Sequence, residues 1–211
     1  MRVNPVANGN VIAVNSDANR DWASQNDDAL ALAVKAGERS AYDELVRRHQ
    51  ARVFAVAYRF ASNREEALDI AQEALFKAYR KIHSWEPRSG FVPWLMRLTT
   101  NQAIDHLRRN KRRKTVQLTD EYSGDSTGVP LERQRPQPEA AARAQEIDGH
   151  VQRALGVLSD AQRQVFVLRH YEGLQLAEIA EALGCSVGSV KVHLFRAVRK
   201  LRRELEDIER F

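Results

Sequence analysis

The sequence predicts an all-α protein made of two small helical domains joined by a flexible linker. Three observations carry this reading. Long stretches rich in Ala, Leu, Arg, Glu and Gln favour helix, and only 10 Gly and 6 Pro interrupt the 211 residues. Apolar residues recur at three- and four-residue spacing. Between two such stretches, residues 114–139 gather Gly124, Gly128, Pro130, Pro136 and Pro138 beside Asp120, Glu121, Asp125 and Glu132, an acidic, helix-poor tether. A hydrophobic share of 43% supports real cores, while 29% charged residues point to small bundles with much exposed surface.

Residues 1–26 are rich in Asn, Val, Ala and Ser without a sustained period, and read as a mobile tail. Helical pattern starts near Asp27, breaks at Gly37 and resumes from Ser40 to about Phe60. Ser62 stands three positions before Glu65, as in a capping box. The helix it opens carries an apolar stripe at Ala67, Leu68, Ala71, Ala74, Leu75, Ala78, Tyr79 and Ile82. After a loop from Trp85 to Gly90, a further helix runs from Phe91 to about Arg112, burying Phe91, Trp94, Leu95, Leu98, Ile104 and Leu107. Residues 27–113 thus form one bundle of about four helices. Helical pattern returns near Ala140 and continues through the second domain, 140–211. There Ser159 and Gln162 form another capping box, and Gly173 closes its helix.

The net charge is +5, and its distribution matters more than its size. From Arg108 to Lys114 every residue but Asn110 is basic, and the stretch from Ser186 to Arg203 holds six Lys and Arg with no acid. Two separated basic segments suggest two contacts with a polyanion. No apolar run reaches membrane-spanning length, so no membrane insertion is expected. The N-terminus lacks the order of a secretory signal. A single cysteine, Cys185, excludes an internal disulfide and fits a reducing cytoplasm.

The strongest local motif lies between Leu176 and Leu201. A short amphipathic helix ends at Gly184, Ser186 caps the next helix, and Ala180, Gly184 and Val190 stand where a helix-turn-helix needs a small residue, a turn glycine and an apolar anchor. Ile179, Leu183, Val190 and Leu194 lock the two helices together. The outer face of the second helix then shows Ser189, Lys191, Val192, His193 and Arg196. Early positions of such a helix meet base edges, and later ones meet phosphates. Lys191, His193 and Arg196 are therefore the base-edge candidates, with Arg199, Lys200, Arg202 and Arg203 as backbone contacts. Gln175 is a poor cap for the first helix.

In the N-terminal bundle, Asp69, Gln72, Glu73, Phe76 and Arg80 lie opposite the apolar stripe. A phenylalanine among acids and amides is either a lone exposed aromatic or the anchor of a protein-docking patch, and periodicity leaves both readings open. On the following helix, Arg97, Asn101, Asp105 and Arg108 project on one side and lead into Arg109, Lys111, Arg112 and Arg113. Asn101 offers both donor and acceptor to a base. The loop with Trp85, Pro87, Ser89 and Gly90 borders a pocket for an extruded base, unless Trp85 fills the core as Trp94 does.

These segments resemble a known family. Asp69-Ile70-Ala71-Gln72-Glu73-Ala74-Leu75-Phe76-Lys77-Ala78-Tyr79-Arg80 is similar to region 2.2 of sigma factors. Phe91-Val92-Pro93-Trp94-Leu95-Met96-Arg97-Leu98, followed by Asn101-Gln102-Ala103-Ile104-Asp105-His106-Leu107-Arg108-Arg109, resembles regions 2.3 and 2.4. Leu158 through Leu201 resembles region 4. The order matches, and no room remains for a region 3 domain, which is the layout of the extracytoplasmic-function group. The resemblance covers residues 27–113 and 140–205.

The resemblance implies a non-enzymatic initiation factor of two helical domains, a region 2 bundle and a region 4 helix-turn-helix. It implies docking of Asp69, Gln72, Glu73, Phe76 and Arg80 on the β′ clamp helices of core RNA polymerase, with the β flap as a second polymerase contact. The melted −10 element would meet Trp85, Ser89, Arg97, Asn101, Asp105, Arg108, Arg109, Lys111, Arg112 and Arg113. The duplex −35 element would meet Ser186, Ser189, Lys191, Val192, His193, Arg196, Arg199 and Lys200, with Val192 placed for a thymine methyl. An anti-sigma partner is also implied, and no cofactor. Against an enzyme stand six histidines without metal-ligand spacing, and the lack of a phosphate loop or nucleophile elbow. Cys185 reads as a small buried residue of the turn. The runner-up is a conventional helix-turn-helix regulator whose N-terminal bundle binds another protein or a small ligand.

Overall fold

The computed structural model describes residues 21–120 and 149–208. The N-terminal bundle comprises α1 (Asp27–Lys35), α2 (Arg39–Tyr58), α3 (Arg64–Lys81) and α4 (Phe91–Asp120). The C-terminal domain comprises α5, described from 149 to 156, then α6 (Asp160–His170), α7 (Leu176–Leu183) and α8 (Val187–Ile208). No strand occurs among the described residues. The all-α, two-domain expectation holds.

Each helix start has a chemical cause. Asn26 accepts the Ala29 amide at 2.8 Å and opens α1, with Asp27 and Asp28 in the first turn, where the helix dipole favours acids. α3 is capped by Asn63, which accepts the Glu66 amide at 2.8 Å, so the expected box on Ser62 shifts by one residue. Glu66 still reaches back, taking the Ser62 amide at 2.6 Å. Ser159 and Gln162 form their capping box as expected. The weak cap at Gln175 is compensated by Glu178, which accepts the Gln175 amide at 2.6 Å. Gly184 ends α7 with φ +65°, a left-handed turn that a side chain resists.

The bundle's core is aromatic and well filled. Phe60, Trp85, Phe91, Trp94 and Leu95 are buried together, with Trp85 edge-on to Phe91 at 6.1 Å between ring centres. The buried stripe of α3 is Ala67, Ile70, Ala71, Ala74 and Ala78. Leu68 and Tyr79, expected inside, are exposed, Tyr79 with its ring against Tyr42. The small residues lie at strict three- and four-residue spacing and draw α3 close to its neighbours, which turns Leu68 off the contact line.

Three further expectations are corrected. Residues 21–26 do not belong to a tail. Trp22 starts a turn of 3₁₀ helix and donates its indole N–H to Ser40 at 2.9 Å, while Arg48 gathers the carbonyls of Trp22, Ala23 and Gln25. α4 continues to Asp120, past the expected linker start, because nothing between Lys114 and Asp120 breaks a helix and the first glycine comes only at 124. Cys185 is exposed rather than buried, since the backbone reverses at Gly184 and turns it outward. The expected helix start near Ala140 and the rest of the linker lie outside the described residues, as do residues 1–20.

The apolar core does not stop at the domain boundary. Val165, Val167, Leu168, Leu174, Ile179, Ala180 and Val190 belong to the same continuous cluster as Leu95, Leu98 and Ile104. A second, smaller cluster joins α5 to α8 through Ala154, Leu155, Leu158, Ala197 and Leu201.

Candidate nucleic-acid interface

Three surfaces follow from this packing. The first is the outer face of α3, where the inward alanines leave Asp69, Gln72, Glu73, Phe76 and Arg80 all exposed. Phe76 is 63% exposed, with the Arg80 guanidinium 5.8 Å from its ring centre. Glu73 accepts from Gln102 and, at 3.2 Å, from Arg109. A large apolar ring framed by charge and amide has the character of a protein-docking anchor.

The second surface is one side of α4. Arg97, Asn101, Asp105 and Arg108 succeed one another at helical spacing, and Arg109, Lys111 and Arg112 follow toward the free end. Arg113 lies in the helical backbone, but its side chain is outside the described ones. Asp105 sits 3.9 Å from Lys77. Ser89 is spent in its own turn, donating to the Glu86 carbonyl at 2.9 Å. Trp85 is 0% exposed, which corrects its expected place at a base pocket: the indole belongs to the core cluster, edge-on to Phe91. Beside it, a cavity of about 170 Å³ lies between the Ser84–Ser89 loop, Trp94 and Arg97 on one side and Glu178, Glu181 and Ala182 of α7 on the other.

The C-terminal domain rests against this side of α4. Gln164, buried in α6, donates to Asn101 Oδ1 at 2.7 Å and to Thr100 Oγ1 at 2.9 Å. Arg108 donates to Asp160 at 2.9 Å, and Arg97 to the Ala182 carbonyl at 3.0 Å. Farther round, Arg52 pairs with Glu172 and Arg163 donates to the Arg59 carbonyl. Burial pushes the Arg163 guanidinium down to about 10. Neither Gln164 nor Thr100 is foreseeable from one helix's periodicity, because each gains its role from a neighbour more than sixty residues away.

The third surface is the outer face of α8. Ser186 caps it through the Ser189 amide at 3.1 Å, and the two hydroxyls lie 3.0 Å apart. Lys191, Val192, Arg196, Arg199 and Lys200 are exposed. His193 is less available than expected: it is half-buried, with Nδ1 enclosed and unpartnered. Phe195, which periodicity alone does not single out, is 68% exposed among these cations. Its three-residue spacing from Val192 was the available signal. The helix-turn-helix anchors pack as expected, with Ile179 and Val190 fully buried. No cluster of His, Cys, Asp and Glu suited to a metal ion occurs among the described residues. Nor is any described helix long and apolar enough to cross a membrane.

Comparisons with known proteins agree with this layout. The family model for sigma-70 region 2 matches residues 45–113, and that for sigma-70 region 4 matches residues 149–201. The RNA polymerase sigma-H factor of Pseudomonas aeruginosa is 32% identical over 191 residues, covering 88% of this chain and 97% of its own. The ECF RNA polymerase sigma factor SigW of Bacillus subtilis is 34% identical, covering 83% and 94%. Among solved structures, CnrH in complex with the cytosolic domain of CnrY superposes with a TM-score of 0.62 at 26% identity, covering 86% of this chain and 97% of that one. The sigma factor RpoE in complex with the anti-sigma factor NepR, from Bartonella quintana, superposes with a TM-score of 0.57 at 25% identity, covering 78% and 96%.

Proposed function

Because the chain belongs to the extracytoplasmic-function group of the sigma-70 family, whose members direct promoter-specific initiation by RNA polymerase, we propose how its surfaces share that task. α3 docks on the β′ clamp helices through Phe76, with Asp69, Gln72, Glu73 and Arg80 as its polar rim. The β flap holds the C-terminal domain. The α4 side from Arg97 through Asn101 to Arg108 takes the melted −10 strand, and the basic run from Arg109 to Arg113 holds its phosphates. The α8 face reads the −35 duplex, with Lys191 and Arg196 at base edges, Val192 against a thymine methyl, and Arg199 and Lys200 on the backbone. Residues 27–113 and 140–211 act as the two modules. The phosphoryl chemistry belongs to the polymerase.

One observation supports this reading most: Arg97, Asn101, Asp105 and Arg108 share one side of the helix that continues into the basic run, while a second basic helix lies on the other domain. Two weak contacts bound together gain by effective concentration, so specificity needs both elements at a fitting separation. An anti-sigma protein would act by covering these faces, and the solved relative RpoE is in complex with the anti-sigma factor NepR. Adding the purified chain to core polymerase tests the reading. Transcripts should start at a restricted set of promoters and disappear with Phe76→Ala. A chain that binds duplex DNA but never programmes core polymerase would refute it.

A further inference from the structure

We infer that α1 positions the −10 reading surface: Asp28 and Lys35 clamp the two ends of the 85–91 loop beside Arg97. The inference rests on the −10 assignment above. Asp28 and Lys35 stand seven residues apart, two turns of α1, and so share a face of that helix. Each holds one end of the loop. The Lys35 ammonium donates to the Trp85 carbonyl at 2.9 Å, where the loop begins. The Asp28 carboxylate accepts the Phe91 amide at 2.7 Å, where the loop ends and α4 starts. Gly90 has no side chain with which to cap α4, so the cap comes from a residue 63 positions earlier than Phe91. The dipole of α4 favours a carboxylate at this end.

The clamp stands on a fixed base. Leu30, Ala31 and Val34 bury the inner side of α1. Asp27 ties its start to α2, through Arg48 at 3.0 Å and His49 at 2.8 Å. The buried indole of Trp85 gives the first end of the loop a second anchor. Between the ends the chain closes on itself. The Glu86 carbonyl accepts from the Ser89 amide at 3.1 Å and from its hydroxyl at 2.9 Å. The Pro87 carbonyl accepts from the Gly90 amide at 3.1 Å, and Gly90 leaves the turn at φ +64°. Residues 86–89 therefore move as one piece, hung between Lys35 and Asp28. With Trp94 and Arg97, this turn lines one side of the cavity of about 170 Å³. A base laid on the row that begins at Arg97 has the turn as its neighbour. Selective contact needs such a wall held within about 0.5 Å, and order built in beforehand is not lost again on binding. Asp28 and Lys35 act on it through the backbone, which leaves the side chains of the turn free for the strand.

Variants of the full chain test this. Asp28→Ala and Lys35→Ala each release one end of the clamp, while Asp28→Asn keeps an acceptor for the Phe91 amide. Amide hydrogen exchange in the free chain reads the clamp directly: Phe91 should exchange about tenfold faster in Asp28→Ala. With core polymerase, promoters carrying single −10 substitutions should be discriminated about tenfold less well by both alanine variants. Asp28→Asn should restore the discrimination. Core polymerase affinity and −35 duplex binding should stay at the parent values, which a general loss of folding would not allow. The proposal is overturned if Phe91 exchange is unchanged, if discrimination survives both alanine variants, or if it falls only together with core affinity. Failure of Asp28→Asn to restore it overturns the proposal equally. Asn101→Ala on the same promoters separates the premises. If it alters their ranking while Asp28→Ala and Lys35→Ala do not, the −10 reading stands and the clamp falls. If Asn101→Ala also leaves the ranking unchanged, both fall.

Discussion

The two domains hold their candidate DNA-binding groups in different company. On α4, Arg97, Asn101 and Arg108 each have a partner from the other domain. On α8, Lys191, Val192, Arg196, Arg199 and Lys200 are exposed to solvent. The cores differ in parallel. The N-terminal bundle is filled with Trp85, Trp94, Phe91 and Phe60, whereas the C-terminal domain relies on Val165, Leu168, Ile179 and Val190 and leans on its neighbour. The thick core carries a face whose polar groups already have partners, although Asn101 and Arg108 stay exposed, and the thin one carries a face turned to solvent.

Breaking the thick core is expected to have the largest effect. Trp85→Ala should cost about 3–5 kcal/mol in chemical unfolding, because the indole is wholly buried. An equal loss from Ile179→Ala would erase the contrast between the cores. Next comes the docking face: Phe76→Ala should weaken core polymerase binding by about 2 kcal/mol, while −35 duplex binding, followed by anisotropy, stays unchanged. Lys191→Ala should then lower −35 affinity by about 1–3 kcal/mol with altered base preference. Arg199→Ala should instead weaken all sequences alike and reduce the salt slope by about one. Equal base discrimination in the two variants would remove the division between base and phosphate contacts on α8.

Much of this was readable in the sequence because it is local. Gly184, Ser186 and the anchors at Ile179 and Val190 lie within twelve residues of one another, so spacing alone assembles the helix-turn-helix. The exposed face of α3 follows from its alanine stripe for the same reason. What escaped is non-local or ambiguous at one residue. Trp85 stands in a loop, and a loop tryptophan can face a pocket or a core; only the arrival of Phe91 decides for the core. Ser62 and Asn63 are both good caps, and the choice depends on which places Ala67 and Ile70 inward. The engagement of Asn101 by Gln164 spans 63 residues and leaves no mark in either helix's pattern.

Smaller effects sharpen the comparison further. Gly184→Ala should cost about 1 kcal/mol through its left-handed backbone, and Ser159→Ala about 1 kcal/mol through its cap, both read as melting shifts of the C-terminal domain. Acid should act on the N-terminal bundle. Burial pushes the Glu66 carboxyl up, but the Ser62 amide and His106 outweigh it and hold the group below its ordinary value. With its folded value depressed, the stabilisation is complete above the ordinary carboxylate range and is lost as pH falls through the folded value. The melting difference between the parent chain and Glu66→Gln should therefore narrow as pH drops below that range. A constant difference would show that Glu66 acts only as a packed side chain.

The Arg52–Glu172 pair joins residues 120 apart in the chain. Synthesis runs from the N-terminus at about 5–20 residues per second, so Glu172 follows Arg52 by roughly 6–24 seconds. The N-terminal bundle is complete well inside that interval, with its α4 side still bare. A newly made chain thus passes through a period in which Gln164 has not yet reached Asn101, and the order of synthesis sets the order in which the two domains meet.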